Sequence, residues 1–300
     1  MAQNAQKLGA VSRRRTGPSA WLAAPALLFF GLFAIVPMFG VLYFSLVSWD
    51  GMGEMKWTGF GNWEEVFSDD TSLNAMRLTL IIMVVTWLIQ TPLSLLLGVF
   101  MAGKQRYRAL MSVLYFLPLL FSSAAIGIGF KAMLDPSFGI GAAIPFLSQD
   151  WLGSEELALW TIMFVISWTF VPFHSLLYQA GVRQIPISMY EAAKVDGAGA
   201  VRQFFSITLP QLKYTIITSS TLMLVGALTY FDLFFVMTQG GPVNATRILP
   251  LDMYLTGFRS FQMGKASAIA VILIVVGLAL SLGLNRMSGA SKMESQMEGV

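Results

Sequence analysis

Between two long apolar runs, the chain reads Gln184-Ile185-Pro186-Ile187-Ser188-Met189-Tyr190-Glu191-Ala192-Ala193-Lys194-Val195-Asp196-Gly197-Ala198-Gly199 and continues through Phe204 and Phe205 to Ile207-Thr208-Leu209-Pro210. Pro186 and Ser188 are residues that open helices, and helix-forming residues follow them. Gly197 supplies a left-handed turn that ends the first helix, and a second short helix runs from about residue 200 to Pro210. The sequence therefore predicts two short helices in this connecting loop.

The chain on either side of this loop consists mainly of long apolar runs. Of the 300 residues, 56% are hydrophobic and 12% are charged, whereas an ordinary soluble domain has about 25% charged residues. A helix needs about 20 residues to cross a bilayer core. Six runs are long enough, at residues 20–48, 75–101, 109–133, 157–180, 214–237 and 265–285. We predict an all-α, polytopic membrane protein with six transmembrane helices.

The charges predict the orientation. Most Lys and Arg residues lie before the first run, between runs two and three, between runs four and five, and after the sixth, whereas most acidic residues lie in the other loops. Both termini are therefore predicted to be cytoplasmic. The first run exceeds the 7–15 apolar residues of a secretory signal, so we expect a retained anchor. The predicted segments are a cytoplasmic tail (1–19), a first transmembrane helix (20–48), an extracytoplasmic loop (49–74), a five-helix transmembrane domain (75–286) with its loop (184–213), and a cytoplasmic tail (287–300).

The composition excludes several kinds of chemistry. The chain has no cysteine and one histidine, His174, so it cannot build a thiolate or histidine metal site alone. It has no phosphate-binding Gly-x-x-x-x-Gly-Lys-Ser/Thr sequence and no paired catalytic carboxylates. We expect neither enzymatic activity nor a bound cofactor in this chain. The bilayer rule accounts for its basic residues, so no nucleic-acid partner is expected.

The loop also carries a family resemblance. Its order of Glu-Ala-Ala, three residues, Gly, nine residues, Ile, one residue and Leu-Pro resembles the signature loop of importer permeases in the ATP-binding-cassette (ABC) class. The resemblance implies a type I importer fold, in which this loop docks on a cytoplasmic ATPase dimer. The ATPase would bind and hydrolyse ATP-Mg. The residues implied to couple the two proteins are Glu191, Ala192, Ala193, Asp196, Gly197, Ile207, Leu209 and Pro210.

A second stretch is similar to carbohydrate permeases of the maltose, lactose and glycerol-phosphate type. It reads Met237-Thr238-Gln239-Gly240-Gly241-Pro242, with Thr246, Tyr254 and Phe258 beyond it. Gly-Gly-Pro alone predicts only a turn. Together with the loop, it implies a carbohydrate importer, with di- or oligosaccharides as cargo. The implied partners are a second homologous permease and an extracytoplasmic solute-binding protein.

The same resemblance implies a substrate path halfway across the bilayer. On the fifth run its positions fall on Met223, Gly226, Ala227 and Tyr230, and on the fourth run on Thr169, Phe170 and Phe173. Aromatic rings suit the apolar faces of a sugar. Small and aromatic residues at helical spacing are equally typical of a contact between two membrane helices, so both interpretations stay open.

Two further residues have alternative interpretations. Asp232 is a carboxylate inside an apolar run, where it marks a cavity, a polar partner or a pathway. At 100° per residue it lies about 200° from Tyr230 on a continuous helix, which favours a contact with another subunit over a sugar contact. His174 is expected to be a hydrogen-bonded packing residue.

The acidic residues Glu64, Glu65, Asp69 and Asp70 could dock a partner or form a solvated face.

Other functions would need other features. A proton-coupled secondary transporter needs several intramembrane acids and often an inverted repeat, but only Asp232 lies well inside a run. An intramembrane enzyme needs a polar catalytic cluster, and none is visible. Importer permeases for polyamines, metals or phosphate share the loop signature. A cargo of glycerol phosphate, a polyol or a polyamine therefore remains an alternative within the class.

Overall fold

The computed structural model describes residues 20–103, 105–144 and 148–288. The predicted tail 1–19 and all but the first two residues of the tail 287–300 lie outside this part of the chain. The helices and strands follow in the order α1 (Trp21–Phe44), β1 (Val47–Ser48), β2 (Lys56–Trp57), α2 (Gly61–Ser68), α3 (Asp70–Met101), α4 (Arg106–Phe116), α5 (Ser123–Met133), α6 (Ile140–Ala143), α7 (Ala158–Gln184), α8 (Ile187–Val195), α9 (Ala200–Gln203), α10 (Lys213–Ala227), α11 (Asp232–Met237), α12 (Leu249–Tyr254) and α13 (Met263–Ser288).

Four long apolar helices can cross a membrane: α1, α3, α7 and α13. They correspond to the first, second, fourth and sixth predicted runs. The apolar side chains of α1 are exposed around most of the helix, as in Leu28, Phe29 and Phe33, which suits contact with lipid. The other three helices bury part of their surface in the bundle. Among the described residues, these four helices are therefore candidate spans by their length and composition.

The third predicted run, 109–133, is not one straight helix. Its two halves, Leu110–Leu120 and Ser123–Met133, meet at an angle of 94°. Pro118 lies in a tight 3-10 turn that follows α4, and the Ser122 hydroxyl then accepts a hydrogen bond from the Ala125 N–H at 3.2 Å. This cap provides a partner for an amide that has none in the first turn of α5. The prediction of a continuous helix is wrong here.

The fifth predicted run, 214–237, is also interrupted. Helix α10 ends at Ala227, residues 228–231 are not helical, and α11 begins at Asp232. The Gly226 carbonyl accepts hydrogen bonds from both the Thr229 N–H, at 2.9 Å, and the Thr229 hydroxyl, at 2.8 Å. Six continuous membrane helices are therefore not found in residues 20–103, 105–144 and 148–288. The described residues contain four candidate spans, or five if the bent pair α4 and α5 counts as one.

The centre of the bundle is the contact between α3 and α7, with α10 packed against α3. Gly98 on α3 makes the close approach possible, because a Cβ there would lie 2.6 Å from the Tyr178 Cβ and 2.7 Å from the Ser175 carbonyl oxygen. Small residues at such crossings are typical of membrane helices. A second layer of buried apolar side chains joins α3, α7 and α11, including Ile82, Ile166 and Phe234.

A buried polar network joins α3, α12 and α13 at the end where α3 begins. Asp252, which is fully buried, accepts hydrogen bonds from Arg247 Nε at 2.9 Å and from the Ser72 hydroxyl at 3.0 Å. Lys265 Nζ lies 2.9 Å from Asp69 and 3.2 Å from Glu65. These polar contacts hold the start of α3 against α12 and α13.

Asp69 is the capping residue of α3, and its Oδ1 accepts a hydrogen bond from the Thr71 N–H at 3.0 Å. Burial opposes ionisation of Asp69, but hydrogen bonds from Lys265 and from Thr71 outweigh it and hold its pKa below the ordinary value of 3.8. A depressed pKa means that the charged form stabilises the fold. That contribution is present above pH 3.8 and is lost as the pH falls below it.

We expect replacement of Asp252 by alanine to destabilise the purified protein by about 1.5–3 kcal/mol, the contribution of a hydrogen bond to a charged group. The change leaves the Arg247 guanidinium, which is 22% exposed, without its carboxylate. The midpoint of thermal unfolding in detergent should fall clearly below that of the wild type. Glu64→Gln, at an exposed position on α2, is the matched control and should leave the midpoint unchanged. Equal midpoints for the two variants would contradict a stabilising network.

Candidate functional site

The loop after α7 folds as two short helices, α8 and α9, as predicted. Gly197 has a φ of +75°, the left-handed conformation that only glycine adopts cheaply. The Gly197 N–H donates to the Lys194 carbonyl at 3.0 Å, and the Ala198 N–H donates to the Ala193 carbonyl at 2.8 Å. These two hydrogen bonds form a Schellman motif, which stops α8 and reverses the chain. The turn predicted at Gly197 is confirmed.

The outer side of this loop is uncovered. Glu191, Ala192, Asp196, Gly197 and Pro210 are exposed, and Ala193, Ile207 and Leu209 are half-buried. Large apolar side chains are exposed beside them, with Val195 at 88%, Val201 at 73% and Phe205 at 61%. An exposed apolar group flanked by acidic side chains is typical of a surface that contacts another protein.

The inner side of the loop is fixed to the long helices. The Tyr190 hydroxyl lies 2.9 Å from the Thr208 hydroxyl, which joins α8 to the segment after α9. Leu209 and Phe204 pack against a buried cluster of Leu95, Tyr178 and Leu212, which come from α3, α7 and the start of α10. The inner side of the loop therefore packs directly against α3, α7 and the start of α10.

A cavity of about 530 Å³ lies farther along the same helices, beside the break between α10 and α11. Aromatic rings form much of its wall, and the rings of Phe170 and Tyr230 stack with centroids 5.6 Å apart. The break supplies Thr229, Tyr230 and Phe231 to the lining. Irregular backbone within a membrane domain is tolerated where it lines a cavity, and broken helices mark binding sites in transporters. The cavity is therefore the candidate solute site.

The residues of the predicted substrate path divide into two groups. Phe170, Phe173, Gly226 and Tyr230 line the cavity. Thr169, Met223 and Ala227 are instead buried in helix contacts, at 3%, 2% and 1% exposure. The Thr169 hydroxyl donates to the Val165 carbonyl of its own helix at 2.8 Å, and the Met223 sulfur lies 3.4 Å from the Thr91 hydroxyl. The structure thus brings four of the seven residues together around one space.

Asp232 also lines this cavity, together with His174. The angular argument that separated Asp232 from Tyr230 assumed a continuous helix, and the break at 228–231 removes that assumption. His174 is buried and its Nδ1 lies 2.9 Å from the Ser219 hydroxyl, which confirms the expected hydrogen bond. Leu119 and Ser123, from the bend after α4, are lining residues that sequence reasoning missed, because nothing in the sequence shows that this bend reaches the cavity.

The turn after α11 is also found as predicted. Gly240 has a φ of +92°, and the Gly241–Pro242 peptide bond is cis. The Thr246 hydroxyl donates to the Gly241 carbonyl at 2.7 Å and lies 2.6 Å from the Thr238 hydroxyl. Thr246 is fully buried. The hydrogen bonds hold a compact turn at the end of α11.

A helical membrane bundle with a cavity beside a broken helix, and with an exposed structured loop on the same helices, is the architecture of a transport permease. The chain belongs to the family described as binding-protein-dependent transport system inner membrane component, which matches residues 90–288. It is therefore a multi-pass inner-membrane permease and not an enzyme.

Individual relatives agree with this assignment. The chain is 32% identical over 267 residues to the probable ABC transporter permease protein YurN of Bacillus subtilis, covering 86% of this chain and 91% of the relative. It is 30% identical over 304 residues to the diacetylchitobiose uptake system permease protein NgcF of Streptomyces coelicolor, covering 92% and 84%.

A solved structure matches the fold. It belongs to a bacterial ABC transporter involved in the import of the acidic polysaccharide alginate, and it superimposes with a TM-score of 0.79. The match covers 89% of this chain and 95% of the other, at 23% sequence identity. The chain therefore has the type I ABC importer permease fold.

Proposed function

We propose that this chain is one of two permease subunits in an ATP-driven, binding-protein-dependent importer of di- or oligosaccharides. The observation that carries the proposal is the connection, through α7 and α10, between the aromatic cavity and the exposed α8–α9 loop. A cavity of about 530 Å³ lies within the range of small-molecule sites. The diacetylchitobiose uptake named for one relative supports a carbohydrate cargo.

In the proposed topology both termini are cytoplasmic and the chain crosses the membrane six times. Helices α1, α3, α7 and α13 are four crossings, the bent pair α4 and α5 is a fifth, and the broken pair α10 and α11 is a sixth. In this topology, as the charges predict, both tails lie in the cytoplasm and the loop 49–74 lies outside it. The domain 75–286 lies in the membrane. Basic residues between α7 and α10 support a cytoplasmic location for the α8–α9 loop.

In this proposal the segment from Glu191 to Pro210 is the coupling surface. It docks on a cytoplasmic ATPase dimer, which binds ATP-Mg and carries out the hydrolysis. A binding protein outside the membrane delivers the sugar, and a second permease completes the path. The exposed apolar and acidic side chains of the loop support the docking. The packing of Leu209 and Phe204 against α3, α7 and the start of α10 supports the transmission of ATPase closure.

The proposed sugar path runs through the aromatic cavity. The rings of Phe170, Phe173 and Tyr230 contact the apolar faces of the sugar, and Gly226 leaves space beside them. Thr169, Met223 and Ala227 support this wall from behind, where their burial keeps the helices in register.

The proposal is tested in proteoliposomes that contain this chain, its second permease and its ATPase. We expect the ATPase rate to rise several-fold when the sugar-loaded binding protein is added, and we expect Glu191→Lys to abolish this rise. Charge reversal on the exposed face of α8 would disrupt docking without touching the cavity. Sugar uptake by this chain without an ATPase, driven by a proton gradient, would instead show a secondary transporter. Stimulation only by a polyamine, polyol or glycerol phosphate would show another cargo.

A further inference from the structure

The cavity contains a carboxylate that the coupling mechanism does not use. Asp232 lines the space at the start of α11, where it is exposed. Among the described residues, the carboxylate of Asp232 forms no hydrogen bond and no ion pair. A carboxylate at this depth of a membrane protein is costly unless it contacts a partner, a ligand or a water-filled path. Asp232 is therefore available to bind a partner, which can be a ligand, another subunit or water.

The other polar groups of the cavity do not supply that partner. Within the part of the chain that the structure describes, the lining contains no Lys or Arg, and its remaining polar side chains are Ser123, His174, Thr229 and Tyr230. Nδ1 of His174 is occupied by the Ser219 hydroxyl at 2.9 Å, and the Thr229 hydroxyl donates to the Gly226 carbonyl at 2.8 Å. The cavity thus offers a hydrogen-bond acceptor with negative charge beside stacked aromatic rings.

We infer that Asp232 is a specificity-determining residue, which anchors a solute by accepting hydrogen bonds from its hydroxyl or ammonium groups and rejects anionic solutes. This inference rests on the proposed function. It narrows the cargo to neutral or amino-bearing sugars and excludes uronate and phosphate sugars. The aromatic rings bind any sugar face, so they do not discriminate by charge. Asp232 discriminates because a second negative group beside it would be repelled and would lose its hydration without gaining a donor.

The test uses the complete transporter in proteoliposomes with ATP inside and the binding protein outside. The probes are 1,4-linked disaccharides in neutral, amino and uronate forms, such as cellobiose, chitobiose and cellobiouronic acid, chosen by their binding to the purified binding protein. We expect uptake of a neutral or amino probe. Asp232→Asn should lower that uptake about ten- to hundredfold, the range expected when a hydrogen bond to a charged group is lost. Asp232→Glu, which retains the charge, should recover part of the rate.

Two further measurements separate specificity from folding. Glu54→Gln removes an exposed carboxylate outside the cavity and should transport at the wild-type rate. Co-purification of the second permease is measured for each Asp232 variant. Loss of the second permease from Asp232→Asn would show an ion pair between subunits and would overturn the inference.

Other outcomes are equally decisive. Wild-type uptake of the neutral probe by Asp232→Asn, or uptake of a uronate as fast as its neutral counterpart, would overturn the inference while leaving the importer proposal intact. If the wild-type transporter took up no sugar and the loaded binding protein did not stimulate its ATPase, the proposed function itself would fail.

Discussion

Replacement of Gly197 by valine is expected to lower co-purification of the ATPase about tenfold while leaving the permease in the membrane. The native φ of +75° is open to glycine, but a β-branched residue there costs about 1–2 kcal/mol, which corresponds to about a tenfold change in an equilibrium. Space is not the cause, because a Cβ at this position would meet nothing within 4 Å. The effect would come from the backbone turn that orients α8 against α9.

The chain offers a matched control for this experiment. Gly199, two residues further on, also has open space around it, but its φ of −70° is accessible to every residue. Gly199→Ala should therefore retain the ATPase. The measurement is the ratio of ATPase to permease after affinity purification, with membrane insertion checked separately. Wild-type ratios and wild-type uptake for Gly197→Val would show that this turn does not position the coupling surface.

The turn at Gly197 could be predicted from the sequence because it depends on local residues only. A Schellman turn involves six consecutive residues, and glycine at its left-handed position has few alternatives, so the sequence around Gly197 was sufficient. The long apolar helices α3, α7 and α13 were predictable for a similar reason, because span length follows from bilayer thickness.

The break between α10 and α11 could not be predicted in this way. Asp232 is the only charged residue in the run from 214 to 237, and hydropathy does not distinguish a continuous helix from two shorter ones. The interruption depends on Thr229, whose hydroxyl and N–H both bond to the Gly226 carbonyl, and on the cavity that the open backbone faces. The helical angle used for Asp232 was wrong because each residue outside helical geometry changes the direction of all that follow.

Contacts between distant segments could not be predicted from the sequence either. Ser72 and Asp252 are 180 residues apart, and their hydrogen bond exists only because α3 and α12 pack together. The resemblance to carbohydrate permeases implied that Thr169, Met223 and Ala227 line the path, but a resemblance in sequence does not determine which side of a helix faces a cavity when the neighbouring helices are bent. Their burial is a result of tertiary packing.

Removal of the Tyr230 ring is expected to lower sugar uptake about tenfold or more, with ATPase co-purification retained. Tyr230 stacks on Phe170, so Tyr230→Ala removes one wall of the cavity and leaves the Phe170 ring without its stacking partner. One aromatic contact contributes about 0.5–1.5 kcal/mol beyond area burial, and loss of the apolar contact with the sugar adds to it. The coupling loop lies elsewhere on the same helices, so ATPase docking should not change.

Two substitutions make this experiment specific. Tyr230→Phe retains the ring and should keep most of the uptake if stacking is the main contribution. Phe164→Ala removes an exposed ring from α7 outside this cavity and should transport normally. The measurement is initial uptake of radiolabelled sugar into proteoliposomes at saturating binding protein. If Tyr230→Ala transports as well as Phe164→Ala, the sugar does not pass along this wall, and the path must run along surfaces contributed mainly by the second permease.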